Sequence, residues 1–344
     1  MRSTTGWRAH GQDSLSAATI PRRDLRPDDI AVRVDFCGVC HTDLHSLRGR
    51  SGDEPLVPGH EFTGVVSEVG ADVTGFRVGD AVAVGNIVDS CGTCSMCLAD
   101  QENFCREFPT LTYGGTDRHD GSTTLGGFSR EYVVRDRFAH PLPAGLDPAG
   151  AAPLMCAGIT VWEPLRALGV GPGMRVAVSG LGGLGHLAVK LAVALGAEVT
   201  VISRSADRAA DAAELGAVDL LVSTDADQMA AARDRFDVLI DTIPVAHDLG
   251  PYLKLVAMDG TLSQVGFLGP VTVEALDLLV GRKKLSSAGS GGRASTAAML
   301  EFCAAHGITA DVEVLPSGQV NEALDRLARG DVRHRFVLDL ADLS

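Results

Sequence analysis

The sequence of 344 residues lacks three features: an excess of basic residues, a long unbroken apolar run and an apolar segment at its start. Its 30 Lys and Arg stand against 44 Asp and Glu, a net charge of −14, and the basic run at 282–284 is short, so no nucleic-acid partner is expected. The longest apolar stretch, 176–202, is interrupted by Lys190, Glu198 and several glycines. We therefore expect a soluble, cytoplasmic protein that has no membrane partner.

The sequence also lacks internal repeats and low-complexity tracts, and its cysteines are not spread as in a disulfide framework. Six of the eight cysteines fall into two local clusters, one at 37–40 and one at 91–105. In a cytoplasmic protein, such clusters indicate metal binding better than disulfide bonding.

The pattern of apolar and turn-forming residues changes near residue 150, which indicates two domains. Before that point, short alternating runs lie between Gly, Pro and Asp, as expected for strands joined by tight turns: IAVRVDF, GVVSEVG and DAVAVG. After it, strands and helices alternate: RVAVSG, GHLAVKLAVALGA, EVTVIS, ADRAADAAELGA, DVLIDTI and GTLSQVG. This alternation predicts an α/β domain with a parallel sheet covered on both faces. The Gly- and Ser-rich segment 286–295 is the expected return linker between the domains.

A glycine pattern at the first strand-to-helix turn predicts a dinucleotide site. Gly180, Gly182 and Gly185 follow RVAVS directly and begin the next helix. The first glycine permits a tight turn, the second lets the backbone approach a pyrophosphate, and the third allows close packing of helix on strand. The amides at the helix start, from Gly183 and Leu184 onward, and the helix dipole then favour the phosphates.

The end of the second strand indicates which dinucleotide binds. Sites for NAD usually carry an acidic residue there, which holds the ribose 2′-hydroxyl. This chain has Ser203, followed by Arg204, Ser205 and Arg208, whose hydroxyls and guanidinium groups suit a 2′-phosphate. We therefore predict NADP(H) over NAD(H). The alternative is that both arginines are solvated charges at the start of a helix, and Asp207 weakens the electrostatic argument slightly.

Four cysteines with short spacing predict a structural metal site. Cys91, Cys94, Cys97 and Cys105 form C-x2-C-x2-C-x7-C, which can surround one tetrahedral Zn²⁺ and leave no open position. An iron–sulfur cluster is the rival interpretation. The proline that follows the last cysteine in many such clusters is Arg106 here, which favours zinc.

A catalytic zinc needs about three protein ligands and one exchangeable position, and the residues that remain for it are Cys37, Cys40, His60, Glu61 and Cys156. At this point the motifs GVCHTD, PGHE, GLGGLGH and CAGITVWEPL, together with the four-cysteine segment, resemble the zinc-dependent medium-chain alcohol dehydrogenases, and most of all the cinnamyl alcohol dehydrogenase subfamily. The resemblance runs nearly end to end.

The resemblance implies a fold and an assembly. It implies a GroES-like β-rich catalytic domain over residues 1–152 and 293–344, and a doubly wound Rossmann domain over 153–292. It also implies a homodimer that forms through the Rossmann sheets. The expected activity is hydride transfer between NADP(H) and an alcohol or aldehyde held at zinc, with two zinc ions per chain, one catalytic and one structural.

The resemblance further assigns roles to single residues. It makes Cys40, His60 and Cys156 the catalytic zinc ligands, with Glu61 close enough to exchange for water, and it leaves Cys37 as a small buried residue. The resemblance makes Thr42 and His45 the proton relay and Asp43 the hydrogen-bond partner of His60. It also places His41 near the cofactor pyrophosphate and Thr160 at the nicotinamide.

The resemblance is weaker at the expected substrate wall. Aryl-aldehyde members of the family carry Ser-Phe-Ile-Gly or Ser-Leu-Ile-Gly there, whereas this chain has Ala288-Gly289-Ser290-Gly291. A wider or more polar pocket is therefore expected, and phenylpropenyl aldehyde need not be the substrate. Two other functions stay open from the sequence: a specialised reductase of C=N or activated C=C bonds, and a non-catalytic protein that binds zinc and a nucleotide.

Overall fold

The computed structural model describes residues 2–50 and 54–343. The chain divides into two compact units, the first made of residues 1–156 and 291–344, the second of residues 157–290. None of the helices within the described ranges is both long and apolar enough to cross a membrane.

The first unit is β-rich, because its chain is built from short apolar runs separated by turns. Its strands are β1 (Arg2–His10), β2 (Ser14–Arg22), β3 (Asp29–Val39), β4 (Phe62–Val69), β5 (Ala81–Val84), β6 (Ile87–Asp89), β7 (Thr110–Leu111), β8 (Glu131–Arg135), β9 (Ala139–Pro141), β16 (Val312–Pro316) and β17 (Arg335–Asp339). Its helices are α1 (His41–Arg48), α2 (Pro148–Ala151), α9 (Arg293–His306) and α10 (Val320–Ala328).

The main sheet of this unit has the strand order β16-β17-β3-β4-β5-β9, and β8 also pairs with β3. The central strand β3 is 11 residues long and largely buried, so it forms the middle of the core. Phe62, Phe128 and Phe336 are large side chains of that core, and all three are fully buried. Strand β3 ends at Val39, directly before Cys40, and this carries the first of the predicted metal ligands out of the sheet.

The second unit is an alternation of strands and helices, as the sequence predicted. Its elements are α3 (Ala157–Ala167), β10 (Arg175–Ser179), α4 (Gly185–Ala194), β11 (Glu198–Ser203), α5 (Ala209–Glu214), β12 (Asp219–Val222), α6 (Ala226–Ala231), β13 (Phe236–Asp241), α7 (Gly250–Leu253), β14 (Val256–Gln264), α8 (Ala275–Leu279) and β15 (Lys284–Ser287).

All strand pairs of this second sheet are parallel, in the order β12-β11-β10-β13-β14-β15. The chain moves outward from β10 to β12, then returns to the other side of β10 with β13. Such a reversal leaves a crevice at the carboxyl ends of the strands, where ligands of doubly wound sheets bind. The predicted α/β fold class, with a β-rich unit and a doubly wound unit, is confirmed.

Candidate active site and cofactor-binding turn

Helix α1 begins at His41 with Cys40 as its N-cap, and Asp43 lies in its first turn. Asp43 is fully buried and lies at the third helical position, where its Oδ2 accepts a hydrogen bond from the backbone amide of Cys40 at 2.9 Å. Its other oxygen, Oδ1, accepts from the amide of Gly59 at 3.0 Å and lies 3.1 Å from Nδ1 of His60. One carboxylate therefore orients two of the predicted zinc ligands, because a partner on Nδ1 leaves Nε2 available for a metal.

Three potential ligand atoms converge at this point, from Cys40, His60 and Cys156. The two Sγ atoms lie 3.9 Å apart, and Nε2 of His60 lies 3.3 Å from Sγ of Cys156. Bond lengths of about 2.3 Å to sulfur and about 2.0 Å to nitrogen in a tetrahedron require edges of roughly 3.8 Å and 3.6 Å. The geometry therefore fits a zinc ion with three protein ligands and a fourth position for another group.

The charges around these thiols favour their deprotonation. The neighbouring thiol of Cys156, the guanidinium of Arg335 and the ring of His60 together hold the pKa of Cys40 well below its usual value. Zinc binds the thiolate and not the thiol, so a low pKa assists metal uptake at neutral pH.

Glu61 lies beside the three ligands without a hydrogen-bond partner of its own. Both of its carboxylate oxygens are buried and unpaired, and the nearest cation is Arg335, whose Nη2 is 3.7 Å from Oε2. Burial raises the pKa of this carboxyl to about 8, although Arg335 opposes that shift. A buried oxygen pair without partners, next to a cluster of metal ligands, fits a group that can reach the metal in exchange for water.

The residues expected to carry the proton lie on helix α1. Thr42 is exposed, and its Oγ1 lies 3.6 Å from Sγ of Cys40. His45 is exposed one turn later, and its ring lies 6.2 Å, centroid to centroid, from that of His41. The spacing of three residues places Thr42 and His45 on the same side of the helix. The hydroxyl thus lies beside a metal ligand and the imidazole faces solvent.

The four-cysteine segment folds into the predicted compact cluster. The Sγ atoms of Cys91, Cys94, Cys97 and Cys105 offer four ligand positions within 4.8 Å of one another. Sγ of Cys97 lies 3.8 Å from that of Cys91 and 3.6 Å from that of Cys94, close to the tetrahedral edge of about 3.8 Å for four Zn–S bonds. All four positions are filled by sulfur, so a metal here has no position left for a substrate.

The glycines of the predicted cofactor turn each have a separate structural reason. Gly180 has φ of +86°, in the left-handed region. A Cβ on Gly185 would lie 2.1 Å from the carbonyl oxygen of Gly180, whereas a Cβ on Gly182 would meet nothing within 4 Å. The first and third glycines are thus needed for the turn and its packing, and the second borders open space. This arrangement fits a dinucleotide, because a pyrophosphate could approach the backbone at that open side, with Gly183 and Leu184 at the helix start.

The residues predicted for the 2′-phosphate follow strand β11, on the same edge of the sheet. Arg204 is exposed, and Ser203 and Ser205 are half-buried. The guanidinium of Arg208 pairs with Asp211 at 2.9 Å, so part of its charge is already compensated. Arg204 is therefore the stronger candidate of the two arginines.

The structure also places Thr160, which was predicted to contact the nicotinamide, and the two cysteines that were not predicted to bind metal. Thr160 lies on α3, and its Oγ1 accepts from the amide of Ser290 at 3.4 Å. Cys37 is fully buried in the main core of the first unit, and burial raises the pKa of its thiol well above the usual value. Cys303 is fully buried on α9, and burial raises its pKa to about 12. Both thiols lie outside the two ligand clusters.

Two residues near the ligands escaped the sequence reasoning. Arg335 is the first residue of β17 and lies close to Glu61, and a charged residue directly before the apolar run FVLDL was the available signal. Gly38 lies between the first two cysteines, and a Cβ there would be 2.4 Å from Oε1 of Glu61. The glycine therefore makes room for the carboxylate, a requirement that only the folded chain reveals.

Comparisons with known proteins agree with this geometry. A family profile described as "Alcohol dehydrogenase GroES-like domain" matches residues 26–144, and one described as "Zinc-binding dehydrogenase" matches residues 183–305. A probable formaldehyde dehydrogenase from Bacillus subtilis is 44% identical over 338 residues, with 97% of each chain covered.

Two solved structures are similar over nearly the whole chain. A cinnamyl alcohol dehydrogenase from Sorghum bicolor superposes with a TM-score of 0.96 at 43% identity, covering 100% of this chain and 99% of the other. A cinnamyl alcohol dehydrogenase from Helicobacter pylori, solved in complex with NADP(H), superposes with a TM-score of 0.92 at 32% identity, covering 99% of both chains. Together with the two metal-ligand clusters and the cofactor turn, these matches show that the chain belongs to the zinc-dependent alcohol dehydrogenase family and is an oxidoreductase acting on CH–OH groups.

Proposed function

We propose that this oxidoreductase uses NADP(H) to interconvert small alcohols and aldehydes at a catalytic zinc. The observation that carries the proposal is the convergence of one ligand atom each from Cys40, His60 and Cys156. The relative solved with NADP(H) supports the choice of cofactor. No structural observation favours reduction of C=N or C=C bonds.

A substrate panel tests this function. Oxidation of NADPH by the zinc-loaded protein is followed against a series of aldehydes and, in parallel, a series of imines and activated alkenes. Turnover of aldehydes, with reversal by the matching alcohols and NADP, is the expected result. Turnover confined to imines or alkenes would contradict it. The panel includes aryl and alkyl aldehydes, because Gly289 and Ser290 replace the bulky pair of the aryl-aldehyde enzymes.

Cys40, His60 and Cys156 would hold the catalytic zinc. Glu61 would be the carboxylate that can replace water as the fourth ligand. When bound, the zinc would supply Lewis acidity at the substrate oxygen, and the nicotinamide would give or accept the hydride. Asp43 keeps the ring of His60 oriented through Nδ1, and its bond to the amide of Cys40 holds the start of α1 in place.

Thr42 and His45 would move the proton that alcohol oxidation releases. The hydroxyl of Thr42 can accept a proton beside Cys40 and pass one on, and His45 can deliver it to solvent, because its side chain is exposed and its ring nitrogens can accept and donate a proton. The relay is tested by Thr42→Ala, with Thr42→Ser as the control that keeps the hydroxyl. We expect kcat to fall about a hundredfold for Ala, the usual scale of acid–base assistance, and to be largely kept for Ser. An unchanged kcat for Thr42→Ala would eliminate the relay.

The cofactor would lie along the carboxyl edge of the second sheet. Gly180, Gly182, Gly183, Leu184 and Gly185 would receive the pyrophosphate. The remaining contacts would come from residues elsewhere in the chain: His41 at the pyrophosphate, Thr160 at the nicotinamide, and Ser203, Arg204, Ser205 and Arg208 at the 2′-phosphate.

Cofactor preference is tested by the ratio of kcat/KM for NADPH to that for NADH. Arg204→Asp should lower this ratio by at least about tenfold, since it replaces a phosphate-binding charge with a repelling one. Arg204→Gln removes the charge without adding repulsion, and it should give an intermediate ratio. Equal kcat/KM values in the wild type would contradict the preference.

The domain assignment follows the two compact units. We propose that residues 1–152 and 293–344 form the GroES-like catalytic domain and that residues 153–292 form the Rossmann domain. The profile matches support this, because each lies largely within one of these spans. In native-state hydrogen exchange the two spans should open as separate cooperative units, and a change of protection pattern at other positions would contradict the boundaries.

We propose a homodimer formed through the second unit. One of its two edge strands, β15, pairs with a neighbour on one side only within the described ranges, and exposed apolar side chains lie in the sequence that leads to it, among them Leu268, Leu276 and Leu279. Apolar patches of this kind mark association surfaces. Sedimentation velocity should give twice the chain mass for the wild type and the chain mass for Leu276→Asp/Leu279→Asp. A monomeric wild type would contradict the proposal.

We also propose that the protein works in the cytoplasm. Its two groups of metal-binding residues need reduced thiols, and the described cysteines are all free of disulfides. Fractionation of cells that produce the untagged chain should recover it with a cytoplasmic marker. The proposed partner is a small-molecule alcohol or aldehyde.

A further inference from the structure

Two strands of the second unit end side by side where the cofactor would bind. Strand β10 lies between β11 and β13, so the chain direction across the sheet reverses at the β10–β13 boundary. The last residues of these strands, Ser179 and Asp241, are paired in the ladder. Gly180, the first glycine of the cofactor turn, follows Ser179 directly. Asp241 is thus an acidic residue one strand away from the expected pyrophosphate.

Asp241 and its neighbour are bound to the cofactor turn. Asp241 is fully buried, and its Oδ1 accepts a hydrogen bond from the hydroxyl of Ser179 at 2.6 Å. The hydroxyl of Thr242 donates to the carbonyl oxygen of Ser179 at 2.7 Å. A Cβ on Gly180 or Gly185 would lie 2.9 Å or 3.1 Å from that Thr242 hydroxyl, so both glycines pack against it. The end of β13 therefore supports the turn from inside the sheet.

The second oxygen of Asp241 faces a histidine. Its Oδ2 lies 3.1 Å from Nε2 of His247, whose side chain is only 16% exposed. Neither atom forms a hydrogen bond within the described ranges, so the contact between them is one of charge. Nδ1 of His247 lies 2.9 Å from the carbonyl oxygen of Val245, and because a carbonyl can only accept, Nδ1 carries a hydrogen. A second proton, on Nε2, makes the ring an imidazolium that attracts the carboxylate, whereas a neutral ring would place the Nε2 lone pair 3.1 Å from a carboxylate oxygen.

The proton between these two residues determines their charge. With it, the pair is neutral, either as imidazolium and carboxylate or as imidazole and carboxylic acid. Without it, the pair carries one buried negative charge next to a site for a doubly charged pyrophosphate. Three further acidic residues, Asp248, Glu274 and Asp277, line the same pocket as His247, and its ring packs edge-on against Tyr252 at 5.4 Å. Burial raises the pKa of Asp241, as expected for a carboxyl in this position.

We propose that Asp241 and His247 are positioning residues for the dinucleotide: Asp241 holds Ser179 and the cofactor turn in place, and His247 cancels the negative charge that Asp241 would otherwise direct at the pyrophosphate. The proposal rests on binding of a dinucleotide at the 180–185 turn. It does not depend on the 2′-phosphate, because NADPH and NADH share the pyrophosphate.

The test is a double-mutant cycle on cofactor binding. Dissociation constants for NADPH and NADH are measured by fluorescence titration of the full-length, zinc-loaded chain as wild type, His247→Asn, Asp241→Asn and His247→Asn/Asp241→Asn. We expect His247→Asn to raise both constants about tenfold, by a similar factor for the two cofactors, because an unpaired buried carboxylate remains. The double variant removes that carboxylate and should return to within about threefold of the wild type. At saturating NADPH, the kcat of His247→Asn should differ from that of the wild type by less than about threefold.

A merely structural role would give another pattern, because each variant would then lose contacts and the double variant would bind the cofactor most weakly. Asp237→Asn is the matched control, since Asp237 lies at the other end of the same strand and pairs with Arg175 on the surface. Its dissociation constants should equal those of the wild type.

Two results would overturn the proposal: dissociation constants for His247→Asn within twofold of the wild type, or a double variant that binds no more tightly than His247→Asn. If His247→Asn alone does not fold, the double variant must fold and bind NADPH within about threefold of the wild type, and its failure would equally overturn the proposal. Equal preference for NADPH and NADH would remove the role of Arg204 and leave this proposal intact.

Discussion

At the scale of single residues, the candidate zinc site depends on small side chains as much as on ligands. Gly38 leaves the volume that Glu61 occupies, since a Cβ there would lie 2.4 Å from Oε1 and 2.7 Å from Cδ of that carboxylate. Glu61 is fully buried with Arg335 next to it, so a Cβ at position 38 would occupy space that the carboxylate needs. A methyl group at position 38 is therefore expected to overpack the buried site beside the metal ligands.

Gly38→Ala tests this packing. We expect it to lower the free energy of unfolding by about 1–3 kcal/mol, the usual cost of overpacking a core. Gly75→Ala is the matched control, because a Cβ on Gly75 meets nothing within 4 Å, and it should be neutral. Urea unfolding monitored by circular dichroism measures both. A neutral Gly38→Ala would show that Glu61 has space that the structure does not indicate.

The two cysteines before helix α1 should respond differently to substitution. Cys40 shares a ligand cluster with His60 and Cys156, whereas Cys37 is packed in the apolar core. We expect Cys40→Ser to reduce zinc from two to about one ion per chain and to abolish activity, since the remaining ligands are too few. Cys37→Ala should retain both ions. Atomic absorption on the purified variants decides, and loss of one zinc from Cys37→Ala would assign the ligands the other way.

At the scale of elements, the four-cysteine segment also serves helix α9. Glu102, three residues before Cys105, is buried, and it accepts hydrogen bonds from the backbone amide of Arg293 at 3.0 Å and from its guanidinium at 3.2 Å. Helix α9 begins at Arg293 with Gly292 as N-cap and has no capping side chain of its own. A carboxylate from another segment therefore satisfies the first amide of a 14-residue helix and faces the positive end of its dipole.

Glu102→Gln should weaken this link between the elements. We expect a loss of about 1.5–3 kcal/mol in the free energy of unfolding, the range for hydrogen bonds to charged groups, with both zinc ions retained. Glu107→Gln removes a carboxylate from the exposed pair with Arg118, so it should cost less than about 1 kcal/mol. Equal effects of the two variants would show that α9 does not need the buried carboxylate.

At the scale of the whole molecule, a buried histidine predicts sensitivity to acid. Burial lowers the pKa of His140 to about 4, and the positive charge of Arg293 acts in the same direction. In the unfolded chain the ring titrates at its usual value of about 6.5. Between these values the unfolded chain binds the proton and the folded chain does not, so stability is present above pH 6.5 and falls as the pH drops towards 4.

The histidine should account for about 3 kcal/mol of lost stability over that interval. His140→Gln should remove this part of the pH dependence, and the exposed His306→Gln should leave it unchanged. Urea unfolding at a series of pH values from 4 to 7 measures the difference between each variant and the wild type. The same slope for His140→Gln and wild type would contradict the prediction.

Local patterns account for what could be predicted. The four cysteines at 91–105 and the glycines at 180–185 are close in the chain, so their spacing alone constrains the geometry that the structure then displays. The alternation of apolar runs predicted β10, α4, β11 and β13 in the same way. Two other contacts were beyond such patterns. Arg335 lies next to a carboxylate more than half the chain away, and His247, although near Asp241 in the chain, reaches it through a loop whose course no periodicity specifies.

By itself, therefore, the sequence determined the fold class, the two local clusters of chemistry and, by resemblance, the ligand set of the catalytic zinc. Only the tertiary structure decided that Asp43, already expected beside His60, also holds the start of α1, that Gly38 makes room for Glu61, and that Asp241 lies beside the cofactor turn with His247 against it. The physical reason is one of range. Backbone conformation and nearby ligands follow from neighbours in the chain, whereas burial, charge compensation and steric fit depend on which distant segments pack together.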